Sequence, residues 1–205
     1  MLFEGSDNLP LREATPSHSV ILSFSRTRED CNLQWYSFRG AGQNDLCYPL
    51  LETTDERWDR VINLDLKAPF QICRRAVRGM VERGGGAILN IGSYAGIRGN
   101  HGPSYTAAKA GLIGLTRSIA VAYAAKGIRC NIINPGGVNT NIGVHSGGDY
   151  QREGILMLRD IIGKFPVKVL GDPEDVARTA LFLCSDDAAH VNGAVVSVDG
   201  GMSAC

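Results

Sequence analysis

Ile88-Leu89-Asn90-Ile91-Gly92-Ser93, followed twelve residues after the serine by Tyr105-Thr106-Ala107-Ala108-Lys109, decides how this chain is read. The first run is an apolar strand that delivers Gly92-Ser93 at its carboxyl end, the edge of an α/β sheet where ligands gather. Pro103 suits the first turn of a helix, and Gly127 suits its end. Between them Ala107, Ala108, Ala110, Leu112, Ile113, Leu115 and Ile119 supply the apolar residues of that helix. A second apolar strand, Ile128 to Ile133, ends in Asn134-Pro135-Gly136-Gly137. The reading is one strand–helix–strand crossover with polar chemistry along its upper edge. Tyr105 and Lys109, four apart on a helix, share a face, so the ammonium lies beside the phenol. A phenol with pKa about 10 exchanges protons poorly near neutrality until a cation lowers that value. Six tyrosines and five lysines in 205 residues would give about 0.15 such pairs by chance, so the pair alone is a modest signal and its context carries the weight.

Working outward, the same pattern continues. Thr53-Thr54-Asp55-Glu56 has capping-box spacing and opens a helix over 54–83, with a kink expected at Pro69. Trp58, Val61, Ile62, Asp65, Pro69, Ile72 and Cys73 fall on one stripe of that helix at i, i+3, i+4, i+7. Gly84-Gly85-Gly86 reads as a turn, and Asp172-Pro173 starts a helix over 173–185. Parallel strands are expected near 87–92, 128–133 and 194–198. Residues 137–166, with Gly147-Gly148 and an apolar patch at Ile155-Leu156-Met157-Leu158, read either as a substrate lid or as an ordinary surface helix.

Composition sets the bounds. A chain of 205 residues with 44 % hydrophobic and 20 % charged residues can bury one substantial core. Its formal net charge of zero, with no basic cluster, suggests neither nucleic acid nor an anionic membrane as partner. No apolar run approaches the roughly 20 residues that span a bilayer. The six cysteines show no metal spacing; Cys73, Cys130 and Cys184 lie in apolar segments and read as reduced core thiols, so a cytoplasmic address is expected.

Ile88 to Ser93, Tyr105 to Lys109, Asn134-Pro135-Gly136 with Val138 and Thr140, and Val196-Ser197-Val198-Asp199-Gly200-Gly201 together resemble the short-chain dehydrogenase/reductase family. The resemblance covers residues 49–205 in order. It implies a Rossmann-like, doubly wound parallel sheet and hydride transfer between NAD or NADP and a carbonyl or secondary alcohol. In that reading Tyr105 exchanges the proton, Lys109 lowers its pKa and meets the nicotinamide ribose, and Ser93 holds the substrate oxygen. Pro135, Gly136, Val138 and Thr140 would line the nicotinamide end. The family's catalytic asparagine falls seven residues after the tryptophan of the preceding helix, and here that position is Asp65. Asn63, two residues away, faces elsewhere. Asp65 is read either as the fourth catalytic residue or as a surface carboxylate at a helix edge. In the site it would be ionised and stabilise the charged lysine, or stay protonated and imitate the asparagine. The family also implies a homodimer or homotetramer. Ala107, Ala108, Gly111, Gly114, Ala120 and Ala124 give the helix after Pro103 small residues on more than one side, as an interface needs.

Residues 1–50 form a divergent segment. They hold three glycines, no lysine and no glycine-rich fingerprint for a pyrophosphate. Ser17 to Phe24 reads as a short strand, and Trp35 to Gly42 sits where the family carries the strand ending Asn-Asn-Ala-Gly. One βαβ unit needs about 30 residues, so the nucleotide-binding half does not fit and the sheet is expected to be incomplete on that side. The expectation is a truncated or mis-started version of a longer chain. Two functions stand open: an oxidoreductase of this type with residues 51–205 as its catalytic part, or a non-catalytic remnant that at most oligomerises. Titration with NADH or NADPH separates them.

Overall fold

The computed structural model describes residues 48–99, 101–139 and 170–204, together with the backbone of Val20–Phe24 and Gln34–Ser37. Two strands come first, β1 (Val20–Phe24) and β2 (Gln34–Ser37). Helix α1 (Asp55–Ile62) runs through a π turn (Asn63–Lys67) into α2 (Ala68–Arg83). Strand β3 (Gly86–Ile91), helix α3 (Pro103–Tyr123) and strand β4 (Ile128–Pro135) form the crossover, and α4 (Pro173–Cys184) leads to β5 (Val195–Val198).

The three expected parallel strands are present. β3 pairs with β4 from Gly86↔Ile128 to Ile91↔Ile133, and β4 pairs with β5 from Ile132↔Val195 to Pro135↔Val198. Successive side chains of a strand point to opposite faces, and here both faces are covered. Ile88, Ile128 and Cys130 pack against Ile72, Cys73, Val77 and Met80 of α2 and Ile119 of α3. Leu89 and Ile133 pack on the other side against Ala180, Leu183 and Cys184 of α4. Each fully buried Ile or Leu contributes about 1.5–3 kcal/mol, so this two-sided core explains the continuous apolar runs of β3 and β4.

The sheet has five strands in the order β2-β1-β3-β4-β5. β1 runs antiparallel to β3, from Ile21↔Asn90 to Phe24↔Ala87, and β2 runs antiparallel to β1. Both strands expected from the first fifty residues therefore exist, but the one beside β3 is reversed and Gln34–Ser37 lies one place further out. Residues 25–33 are too few for the crossover of a dozen or more that parallel neighbours require, whereas antiparallel neighbours need only a short connection. β2 then points the same way as β3, with Ser37 toward the carboxyl end of β3.

The ends of the elements follow local chemistry, with two adjustments. The α1 N-cap is Thr54, whose hydroxyl accepts from the Arg57 N–H at 3.3 Å, one residue later than the capping-box reading places it. At Pro69 the kink takes the form of the π turn just before it, in which the Ala68 N–H bonds to the Asn63 carbonyl. Proline has no N–H and its ring clashes with the carbonyl four residues back, which is Asp65; widening the turn gives it room. Gly84 and Gly127 close α2 and the turn after α3 in left-handed conformations, φ +81° and +71°, as their glycines allow. Trp58 leaves the expected stripe: it is exposed, while Val61, Asp65, Pro69, Ile72 and Cys73 are buried.

Candidate active site

Ser93, Tyr105, Lys109 and Asp65 converge above the carboxyl ends of β3 and β4. Ser93 follows β3 and opens a 3₁₀ turn, its hydroxyl accepting from the Ala95 N–H at 3.2 Å. Gly96 in that turn lies directly on α3: an added Cβ would meet the Lys109 carbonyl at 2.8 Å. Only a glycine lets the Ser93 turn sit this close to the helix carrying Tyr105 and Lys109. Gly111 does the same for the π turn, since a Cβ there would come within 2.9 Å of Leu66. Tyr105 then packs in a small cluster with Val61, Ala95 and Ala108.

Lys109 is fully buried, and its Nζ lies 3.1 Å from the Asp65 carboxylate, which is itself 4 % exposed. The helix-edge surface reading of Asp65 is thereby excluded; the side chain is an inward-facing partner of the lysine. The same ammonium stands 5.4 Å from the centre of the Tyr105 ring. Removing one partner of such a buried pair costs about 3–5 kcal/mol, because the other charge is left uncompensated. Burial first, and the Asp65 carboxylate second, push the Tyr105 phenol above its ordinary value, while a hydrogen bond with the Ser93 side chain works in the opposite sense. The phenol is thus raised, where the sequence reading expected Lys109 to lower it.

Two aromatic neighbours were not anticipated from the sequence. His101 meets Tyr94 edge-on at 4.8 Å and lies tilted 5.9 Å from Tyr105. Burial pushes the His101 imidazole down to about 4, so it is neutral at physiological pH. Nothing in the spacing of Tyr94 and His101 marks them, because a loop brings them together.

Pro135 ends β4, and Gly136 is fixed by the turn after β5. Its N–H bonds to the Val198 carbonyl at 3.1 Å, and a Cβ would strike Asp199 at 2.7 Å. Val138 pairs with Gly171, and the Asn139 N–H reaches the Gly171 carbonyl at 2.9 Å, so the two ends of the intervening segment meet at this edge. Thr140 and the stretch read as a lid lie outside the described residues. Asn134, at the edge between Gly92 and Ser197, is fully buried and neither amide atom has a partner among the described residues. A concavity of about 600 Å³ lined by Arg117, Ala120, Val121, Ala124, Asn192 and Gly193 lies at the other end of α3 and takes no part in the site.

A family model described as enoyl-(acyl carrier protein) reductase matches residues 38–203. The chain belongs to the short-chain dehydrogenase/reductase family. It is 40 % identical over 166 residues to 3beta-hydroxysteroid dehydrogenase 2 of Eggerthella lenta, covering 80 % of this chain and 63 % of that one. Among solved structures, levodione reductase superposes with a TM-score of 0.70 at 34 % identity, covering 80 % of this chain and 64 % of that one. An Agrobacterium tumefaciens protein solved with bound NADP superposes at 0.68 and 35 % identity, covering 78 % of this chain and 63 % of that one. The chain thus spans somewhat under two thirds of the length of these relatives. No helix among the described residues is long and apolar enough to cross a membrane, and no cluster of metal-ligating side chains occurs among them.

Proposed function

We propose that this chain carries the catalytic part of an NAD- or NADP-dependent oxidoreductase acting on a carbonyl or secondary alcohol, with Tyr105 as the proton-exchanging residue. The observation that carries this reading is the buried convergence of Ser93, Tyr105 and Lys109 at the carboxyl edge of parallel strands, the edge where α/β sheets bind ligands. The donor set suits the nicotinamide end of a dinucleotide: one hydroxyl, one phenol, one ammonium, and the orphaned Asn134 amide beside Pro135-Gly136. Bound there, a nicotinamide would supply or accept hydride at the substrate carbon. Ser93 holds the substrate oxygen, and Tyr105 gives it a proton or takes one. Lys109 would hold its charge beside the phenol and meet the ribose, and Pro135, Gly136, Val138 and, by the resemblance, Thr140 would line the nicotinamide end. Asp65 sets the position and charge environment of Lys109.

Tyr105→Phe should lower NAD(P)H-dependent carbonyl turnover by a factor of about 10²–10⁴. Turnover that survives the change would overturn the assignment. The buried cysteines Cys73, Cys130 and Cys184 suit a reducing compartment such as the cytoplasm. Exposed Phe70 and Val81 on α2, Val121 on α3, and Leu181 and Phe182 on α4 support a homo-oligomer, dimer or tetramer, which sedimentation at micromolar concentration would test.

The reversed strand β1 favours a second reading. A nucleotide-binding half builds on parallel strands beside β3, and here that flank is taken by an antiparallel strand. In this reading the chain binds dinucleotide weakly or not at all. Micromolar affinity for NADH or NADPH, measured by calorimetry, would refute it.

A further inference from the structure

The Asp65–Lys109 pair changes what the site can do, if Tyr105 is the proton-exchanging group proposed above. A phenol beside a lone buried ammonium is pulled toward phenolate. Here the ammonium is not alone: the Asp65 oxygen lies 3.1 Å from Lys109 Nζ, nearer than the 5.4 Å from that nitrogen to the Tyr105 ring centre. Both members of the pair are buried, so solvent does little to weaken either field. The π turn fixes the carboxylate in this place, and Gly111 lets that turn approach α3.

We propose that Asp65, by neutralising Lys109 inside the cluster, keeps Tyr105 a phenol, the form that gives a proton to a carbonyl oxygen, and moves to higher pH the range in which the site takes one from an alcohol. In reduction the carbonyl carbon gains hydride from the reduced nicotinamide as its π bond breaks. The oxygen takes the Tyr105 proton, and the tyrosine is left as phenolate to be reprotonated from solvent. The reverse direction needs the phenolate at the start, the form that the carboxylate opposes. The titratable and charged groups facing Tyr105 among the described residues agree with this. Asp65 from the π turn opposes the phenolate. His101, from the loop before α3, is held neutral near pH 7 by burial, and the phenol of Tyr94, from the turn after Ser93, supplies no cation. Lys109 is the one positive charge there among the described residues, and it is paired with Asp65.

Ionisation of Tyr105 can be read without turnover or cofactor, by carbon NMR of the full chain labelled at tyrosine Cζ, with Tyr105→Phe assigning the signal. Asp65→Asn should move the Tyr105 midpoint down by about 1 pH unit or more, giving roughly tenfold more phenolate at a given pH. An unmoved or raised midpoint would overturn the proposal. Should the single variant fail to fold, Asp65→Leu with Lys109→Met removes both charges and leaves none unpaired. Its midpoint should stay within about half a unit of the parent or fall; a rise of about one unit or more would show that Lys109 had been favouring the phenolate all along, and would overturn the proposal. Because neither arm measures turnover, loss of this idea leaves the oxidoreductase assignment to its own test.

Discussion

Three buried asparagines on neighbouring strands receive opposite treatment. Asn90 on β3 donates to the Thr116 hydroxyl at 2.8 Å and accepts from Cys73. Asn131 on β4 donates to the Val191 carbonyl and accepts from the Ala194 N–H, both at 2.9 Å. Asn134, three residues further along the same strand and equally buried, has neither bond among the described residues. A buried unpaired amide costs about 1–3 kcal/mol. The body of the sheet therefore uses its amides to fasten loops and helices, while its carboxyl edge tolerates one that bonds to nothing among the described residues. The distinction separates amides that fasten the structure from one that does not.

The largest effect should come from the fastened class. Asn131→Ala strips the Ala194 N–H of its partner and should cost about 2–4 kcal/mol in urea unfolding; a loss under about 1 kcal/mol would break the contrast. Gly92→Ala comes next. Its Cβ would stand 2.1 Å from Asn134 Oδ1 and 2.9 Å from Ile132, an overpacking worth about 1–3 kcal/mol. Adding Asn134→Ala should restore more than half of that loss, and a strictly additive double variant would show that the glycine is not there for the asparagine. Asn134→Ala alone should change stability by less than about 1 kcal/mol, since it removes no bond among the described residues.

A pH titration sharpens the same boundary between core and edge. The unfolded chain protonates His101 near 6.5, but the folded chain resists until about 4. Between these values the unfolded state binds more protons, so stability falls as pH drops from about 6.5 toward 4, with the full penalty below. Thermal unfolding of His101→Phe should show a shallower acid limb across that window than the parent. Arg178→Ala, breaking an exposed pair with Asp175 at 3.4 Å, should sit at the bottom of the scale at about 0–0.5 kcal/mol.

Most of the crossover was legible because its signals are local. Apolar runs, Pro103 and Gly127 mark β3, α3 and β4 to within three residues, and the four-residue step from Tyr105 to Lys109 places both on one face. Asp65 was legible by counting along its helix stripe, and its pairing with Lys109 was one of the two states that the resemblance left open. The reversal of β1 was hidden, since a five-residue apolar run carries no direction. His101 was hidden too, because loop residues meet through tertiary packing and leave no period. Asn134 was quoted as part of a motif and passed over, for a lack of partners shows only once burial is known.

The π turn at Asn63–Lys67 has an implication for how this site could drift between lineages. A π turn holds one residue more than the α turn it interrupts, so a single-codon deletion could convert it to regular helix. Loss of Leu66 would rotate Asp65 about 100° around the axis relative to α2, off the inward stripe and away from Lys109. Loss of Leu64 would leave Asp65 in phase with α2 and turn α1 instead, carrying buried Val61 out of the Tyr105 cluster. Either event would alter the electrostatics or the lining of the site while every residue of the Tyr105–Lys109 helix stayed in place.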